Sequence, residues 1–334
     1  MNLTFDFEPK SFIFSTGERI NKRKGISMNV VNGKEGNGSD LLLVYNPQAG
    51  HGRAERMLPQ VRELFQQKNV RLDTCPTKCP RDAIEIVKSA DFGAYDGIVA
   101  AGGDGTLFEV INGYFRNPGE KRIPIGVLPI GTGNAFARDL DLDNNKWREA
   151  IDIISLNKPR KVDVGCFRAN GEAYYYLNIL GLGFVSDVTK TAYSLKILGN
   201  ISYTIGVIYQ TIFLKTHGLT IELDGKTLER ENIFVEISNT RYTSNFLMAP
   251  NARFDDGLLD VTLLGKLTRR RLLKCFPKIF TGEHIYLDEI ETFQAKHIRI
   301  STDVPKVLTP DGEIVGNSPL EVECLHQAVE VFGR

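Results

Sequence analysis

The sequence predicts an α/β protein in which a doubly wound parallel sheet is followed by a mainly antiparallel, β-rich second domain. Three observations carry this. Strand-loop-helix units repeat between residues 41 and 139, as a parallel sheet with crossover helices requires. After about residue 158 the pattern becomes one of alternating strands punctuated by Asp224-Gly225, Asp256-Gly257 and Asp311-Gly312 turns. The 334 residues exceed what one typical core needs, at an ordinary globular 42% hydrophobic and 25% charged.

The elements follow in order. Residues 1–38 read as a flexible extension, because Asn32 to Ser39 is too polar and glycine-rich to bury a core. Residues 39–158 form the first domain. Leu41 to Tyr45 is a short buried strand, followed by Met57, Leu58, Val61, Leu64 and Phe65 at helical spacing. Val70 to Leu72 precedes an 81–90 helix, Gly97 to Ala101 a 106–115 helix, and Ile125 to Leu128 a 134–139 segment. Residues 159–334 form the second domain, with strands expected at 173–179, 219–223, 232–237, 258–264, 298–301 and 320–324, and helices at 195–215 and 268–281. The last strand is free to return to the first domain.

Forty-one basic and 41 acidic side chains cancel, which argues against nucleic acid as a partner. Five scattered cysteines form neither a disulfide framework nor a zinc ribbon. The N-terminus lacks a basic-then-apolar export pattern, so a cytoplasmic location is expected. The stretch 197–214 is uncharged, but Asn200, Ser202, Thr204, Gln210 and Thr211 make it an amphipathic helix rather than a span. Between Lys266 and Lys278 six cationic residues and no acid surround Leu272, Leu273 and Phe276, which suits either a solvated face or an anionic lipid surface.

Gly102-Gly103-Asp104-Gly105-Thr106 joins a strand to a helix. Its glycines let backbone N–H groups approach phosphate oxygens, and the helix start adds partial positive charge. An aspartate among phosphates needs a cation or a proton to handle, so Asp104 points to Mg²⁺ or base chemistry with a nucleoside triphosphate; the plain alternative is a tight turn with a capping Asp. Asn46 to Gly50 and Pro129 to Asn134 follow the first and fourth strands, where three small-residue loops can converge. Asp255, Asp256 and Asp260 cluster around a turn, readable as a hairpin tip or as a hard-cation site. Asp311-Gly312-Glu313 is likewise a turn or the place of a base.

Together these motifs resemble the diacylglycerol kinase catalytic family, which includes bacterial soluble lipid kinases and is related to the sphingosine and ceramide kinases. The resemblance covers residues 40–334 and rests on Asn46-Pro47-x-x-Gly50, on Gly102 to Thr106 with Glu109, Asn112 and Gly113, on Gly131-Thr132-Gly133-Asn134-x-Phe136-Ala137-Arg138, on Asp255-Asp256-Gly257-x-Leu259-Asp260, and on Asp311-Gly312-Glu313. It implies an ATP- and Mg²⁺-dependent lipid kinase with its active site between the domains, moving a γ-phosphoryl group to diacylglycerol. A sphingoid-base or ceramide kinase is the alternative, and a catalytically silent lipid-binding module is the alternative of another class. By position, Asn46, Pro47, Gln48, Ala49, Gly50, Thr77, Gly102, Gly103, Asp104, Gly105, Thr106, Leu107, Phe108 and Thr132 would contact ATP. Asp104, Asp311 and Glu313 would be catalytic, with the base left open between the last two. Asp256, with the carbonyls of Arg253 and Leu258, would hold Mg²⁺, and Asp187 would be either a lipid amine reader or a helix cap. Ala49 and Ala135 stand where many relatives carry Ser and Asp. The implied partner is a lipid at a membrane surface, visited peripherally, with a homodimer left open.

Overall fold

The computed structural model describes residues 38–333 apart from 144, 170, 185, 189–205, 207, 208 and 213. Residues 1–37 of the expected extension and most of the expected 195–215 helix therefore lie outside the described residues. The described part is one compact unit.

Four parallel strands make the first half. β1 (Ser39–Tyr45) pairs with β2 (Val70–Pro76) on one side and β3 (Gly97–Gly102) on the other, and β3 pairs with β4 (Ile125–Pro129). β3 and β4 are buried along their whole length, as a sheet covered on both faces requires. The crossovers are α1 (Ala49–Gln67), α2 (Asp82–Ser89) and α3 (Asp104–Arg116). Gly50, His51 and Gly52 are left-handed, so the regular part of α1 starts only after them and buries Leu58, Val61 and Phe65 on one stripe. α4 (Ala135–Asp139) and α5 (Trp147–Ser155) complete this half; α5 was not anticipated from sequence.

The second half is antiparallel. β5 (Pro159–Ala169), β6 (Glu172–Tyr176), β7 (Ile179–Gly183), β8 (His217–Leu223), β9 (Lys226–Ser238), β10 (Tyr242–Thr243), β11 (Phe246–Leu247), β12 (Leu259–Gly265), β13 (Ile290–Ala295), β14 (His297–Thr302), β15 (Leu308–Pro310) and β16 (Leu320–Phe332) follow in order. Except for the β10–β11 hairpin they continue the same sheet, because β16 pairs antiparallel with β14 and β5 and then meets β4 in parallel at Val331 and Ile125. Gly97 and Gly126 make that junction possible, since a Cβ on either would press into the Phe332 ring, at 2.8 and 3.3 Å.

Two expectations need correction. The single strand at 173–179 is two strands broken at Leu177 and Asn178, whose N–H groups donate to the Asp311 carboxylate instead of a ladder partner. The 268–281 helix ends at Cys275 and continues as a 3₁₀ turn, Phe276–Phe280, containing Pro277, which cannot continue an α-helix ladder.

Candidate active site

The loops at the carboxyl ends of β1, β3 and β4 converge. Asn46 N–H donates to Ala101 O at 3.3 Å, and Gly131 N–H donates to Gly102 O at 2.8 Å. A Cβ on Gly131 would lie 2.4 Å from Gly103 Cα, and one on Gly50, at φ 60°, would lie 2.6 Å from Ile130 O. Side chains at these positions would force the loops apart. Asn46 shapes its own loop by accepting from Gln48 N–H, and Asn134 ties the third loop by donating to Gly131 O. Thr77 joins the group at the end of β2, its N–H bonded to Tyr45 O at 2.9 Å. Thr132 is exposed on the third loop, while Thr106, Leu107 and Phe108 are buried in the first turns of α3. Pro47, Gln48 and Ala49 form the rim between β1 and α1.

Glu109 follows the glycine loop in α3, and the structure gives it a task. Its carboxylate accepts from Arg81 and Ala83 N–H, pinning the start of α2 beside the Thr77 loop. Asn112, also in α3, exchanges two hydrogen bonds with the Tyr175 backbone and so fastens the first half to β6.

Asp104 does not cap its own helix. Its Oδ1 accepts from Ala135 N–H at 2.7 Å and stands 3.5 Å from Asn178 Nδ2, while Gly133 leaves room for Oδ2. Burial pushes its carboxyl up to about 6, against the pull of these donors and Arg138. Asp311 is buried and left-handed at φ 46°, and its carboxylate accepts from Leu177, Asn178 and Ile179 N–H at 3.0–3.2 Å. Even so, burial and then the neighbouring Asp104 charge raise it to about 7. Asn178 therefore links the two acids, through its side chain to Asp104 and its backbone to Asp311, and sequence reading passed over it.

Glu313 lies on the other side of this turn. A Cβ on Gly105 would be 2.8 Å from Glu313 Oε1, so this carboxylate overhangs the glycine loop, and its charge reaches Glu109.

Asp104, Asn178 and Asp311 line a cavity whose remaining walls are largely apolar, among them Phe184, Phe234, Phe246, Met248, Leu264, Leu272 and Phe276. Two further acids touch it. Glu289 is paired with Arg271 at 2.9 Å. Glu236 is buried, and burial pushes its carboxyl up to about 7 although Thr243 and Ser238 donate to it. A signal for Glu236 was available: it is the one charge in the apolar run Ile233-Phe234-Val235-Glu236-Ile237.

The Asp256-Gly257 turn sits apart from this cavity. Asp256 accepts from Leu258 N–H at 3.1 Å, and its charge adds to the burial that raises Asp260 to about 6. Asp163, fully buried, fixes the turn by accepting from Gly257 N–H, Gln327 N–H and the His326 ring. Arg253 reaches Asp255 at 3.4 Å. Among the described residues no three His, Cys, Asp or Glu side chains converge on one point. Asp187 is exposed, interacts electrostatically with Lys306 and His217, and does not line the cavity. No helix among the described residues is long and apolar enough to cross a membrane.

Known proteins share the two-part fold. Residues 40–167 match the diacylglycerol kinase catalytic domain, and residues 178–333 match the YegS C-terminal NAD kinase beta sandwich-like domain. A diacylglycerol kinase of Bacillus subtilis is 31% identical over 292 residues, covering 86% of this chain and 94% of the relative. One of Mycobacterium tuberculosis is 28% identical over 291 residues, covering 86% and 93%. The crystal structure of a Bacillus anthracis diacylglycerol kinase superposes with a TM-score of 0.68 at 25% identity, covering 90% of this chain and 98% of that one. On the strength of these matches, the chain belongs to the diacylglycerol kinase catalytic family and is a lipid kinase.

Proposed function

We propose that this kinase transfers the γ-phosphoryl group of ATP, with Mg²⁺, to the free hydroxyl of diacylglycerol, giving phosphatidic acid and ADP. The observation that carries the reading is the continuity of an apolar cavity with two buried carboxylates beside the glycine loops. The half formed by residues 39–158 then takes the nucleotide, and residues 159–334 take the acceptor.

Asn46 to Gly50, Thr77, Gly102 to Phe108 and Thr132 surround the triphosphate, where the loops offer backbone N–H groups and the N-terminus of α3. Asp311 is the better base. It lines the acceptor cavity and has a carboxyl near 7, whereas Glu313 faces the glycine loop. In this role Asp311 accepts the proton of the lipid hydroxyl as its oxygen attacks the γ-phosphorus, and ADP leaves on the far side. Three backbone donors hold the carboxylate in place before and after the proton arrives.

The donor set suits a hard cation. Asp104 and Asp311 are close acids whose mutual repulsion a cation would relieve, and the family resemblance implies a further cation site at Asp256 with the carbonyls of Arg253 and Leu258. Mg²⁺ held at Asp104 would neutralise charge on the phosphates, and the separate Asp256 turn would be a second cation site.

A membrane-facing surface is supported by exposed Tyr209, Ile212, Leu273, Phe280 and Tyr286 next to the cationic 266–278 segment, with Arg269 bonded to Ile212 O. The test is transfer from labelled ATP into mixed micelles carrying diacylglycerol, ceramide, sphingosine or monoacylglycerol, with Mg²⁺ present or chelated. Labelled phosphatidic acid that disappears on chelation is expected. Label in a sphingoid product would replace diacylglycerol as acceptor.

A further inference from the structure

β9, β7 and β15 lie side by side, and their register decides which residues share a face. Gly181 of β7 stands opposite Glu236 of β9 on one side and Thr309 of β15 on the other. One pleat away, Ile179 stands opposite Ser238 and accepts the Asp311 N–H. Glu236 and Thr309 share a face on either side of Gly181, Asp311 follows β15 in a left-handed turn, and all three line the cavity. Gly181 adds no side chain to the row between them. Two strand spacings and one pleat separate the backbones of Glu236 and Asp311 by roughly 12 Å, a gap that two inward-pointing acids and a three-carbon head group fill.

Glu236 is 1% exposed, and neither of its hydrogen-bond partners is a cation. Both hydrogen bonds, from Thr243 Oγ1 at 2.8 Å and Ser238 Oγ at 3.5 Å, reach Oε1, and Oε2 takes none among the described residues. Burial shifts such a carboxyl toward its acid form, and the fraction that carries a proton can donate it from Oε2. As packing alone this residue is costly, because a leucine would fill the strand without desolvating a carboxyl.

Building on the diacylglycerol reading above, we infer that Glu236 is the specificity-determining residue of the acceptor cavity, donating from Oε2 to the ester carbonyl next to the hydroxyl that is phosphorylated. Thr243 is its positioning residue, fixing Oε1 so that Oε2 faces the lipid.

The test compares kcat/KM for a diacylglycerol with that for a dialkylglycerol of the same chains, which keeps the hydroxyl and lacks both carbonyls. The wild type is expected to prefer the diester by roughly tenfold to hundredfold, as a site built around one buried hydrogen bond does. Glu236→Leu is expected to bring that ratio close to one, through KM for the diester. Glu236→Gln, whose amide still donates, is expected to retain most of the preference, and Thr243→Val is expected to fall between. Partial unfolding lowers both rates together and leaves the ratio alone. Equal use of the two lipids by the wild type, or an undiminished preference in Glu236→Leu, overturns the inference while leaving diacylglycerol as a substrate. Label in sphingosine alone, lost in Glu236→Gln, overturns the ester reading together with the diacylglycerol assignment.

Discussion

The two halves of this kinase build their binding surfaces from different parts of the chain. On the parallel side the loops are shaped by backbone: Gly131 and Gly50 let them close to distances that a Cβ at either position would forbid. On the antiparallel side the cavity is made of side chains, apolar ones for the wall and buried Asp311, Asn178 and Glu236 for the chemistry. The proposed ligands would account for the difference. A triphosphate needs many N–H donors at close range, and a lipid needs a dry surface with few polar groups.

If this division is right, the largest effect belongs to Asp311. Asp311→Asn is expected to lower kcat by roughly a thousandfold, the middle of the range for loss of a general base, with Glu313→Gln costing about tenfold. Steady-state assays that reversed this order would move the base to the loop side. Next comes Gly131→Ala, whose Cβ collides with Gly103. It is expected to raise KM for ATP by about a hundredfold or to cost about 1–3 kcal/mol of stability, leaving KM for lipid unchanged. An equal rise in both constants would erase the contrast between the halves. Arg270→Glu with Lys274→Glu should weaken binding to anionic vesicles by about thirtyfold or more and leave neutral detergent assays unaffected, since each cation near such a surface contributes about 1 kcal/mol. Vesicle sedimentation at two salt concentrations checks this.

The smallest effect is on stability. Asp104, Asp311, Glu236 and Asp260 all have carboxyls raised to about 6–7, so the folded chain holds protons that the unfolded chain releases near pH 4. Between about pH 4 and 7 these four acids bind more protons in the native state and make stability fall as pH rises, an effect that outnumbers the opposing one of His217 and His284, whose pKa values burial lowers. A ligand-free melting temperature a few degrees lower at pH 8 than at pH 5 is expected, and Asp311→Asn should flatten the slope. A melting temperature that climbed with pH would show these acids to be ionised in the fold.

The same contrast explains what could be read in advance. Glycine loops announce themselves, because Gly102-Gly103-Asp104-Gly105 has little other use, and the parallel units around them have a clear period. Asp311 was visible as part of a turn motif, but its grip on the backbone of 177–179 was not, and that grip is what broke the expected 173–179 strand. Asn178 has no local signature, since its value arises only when residues 104, 178 and 311 meet. Asp187 could be read as a helix cap or as a lipid amine reader, and in the structure its charge interacts with Lys306 and His217.

Phe332 resting against Gly97 and Gly126 has a consequence for how the molecule is made. Val329, Val331 and Phe332 belong to the same core as β1, β3 and β4, so the half translated first cannot complete its interior until nearly the whole chain has left the ribosome. Contacts this distant in sequence form late and slowly. The nucleotide side should therefore remain open during synthesis, and removal of residues 329–332 should damage ATP binding although those residues lie far along the chain from every glycine loop.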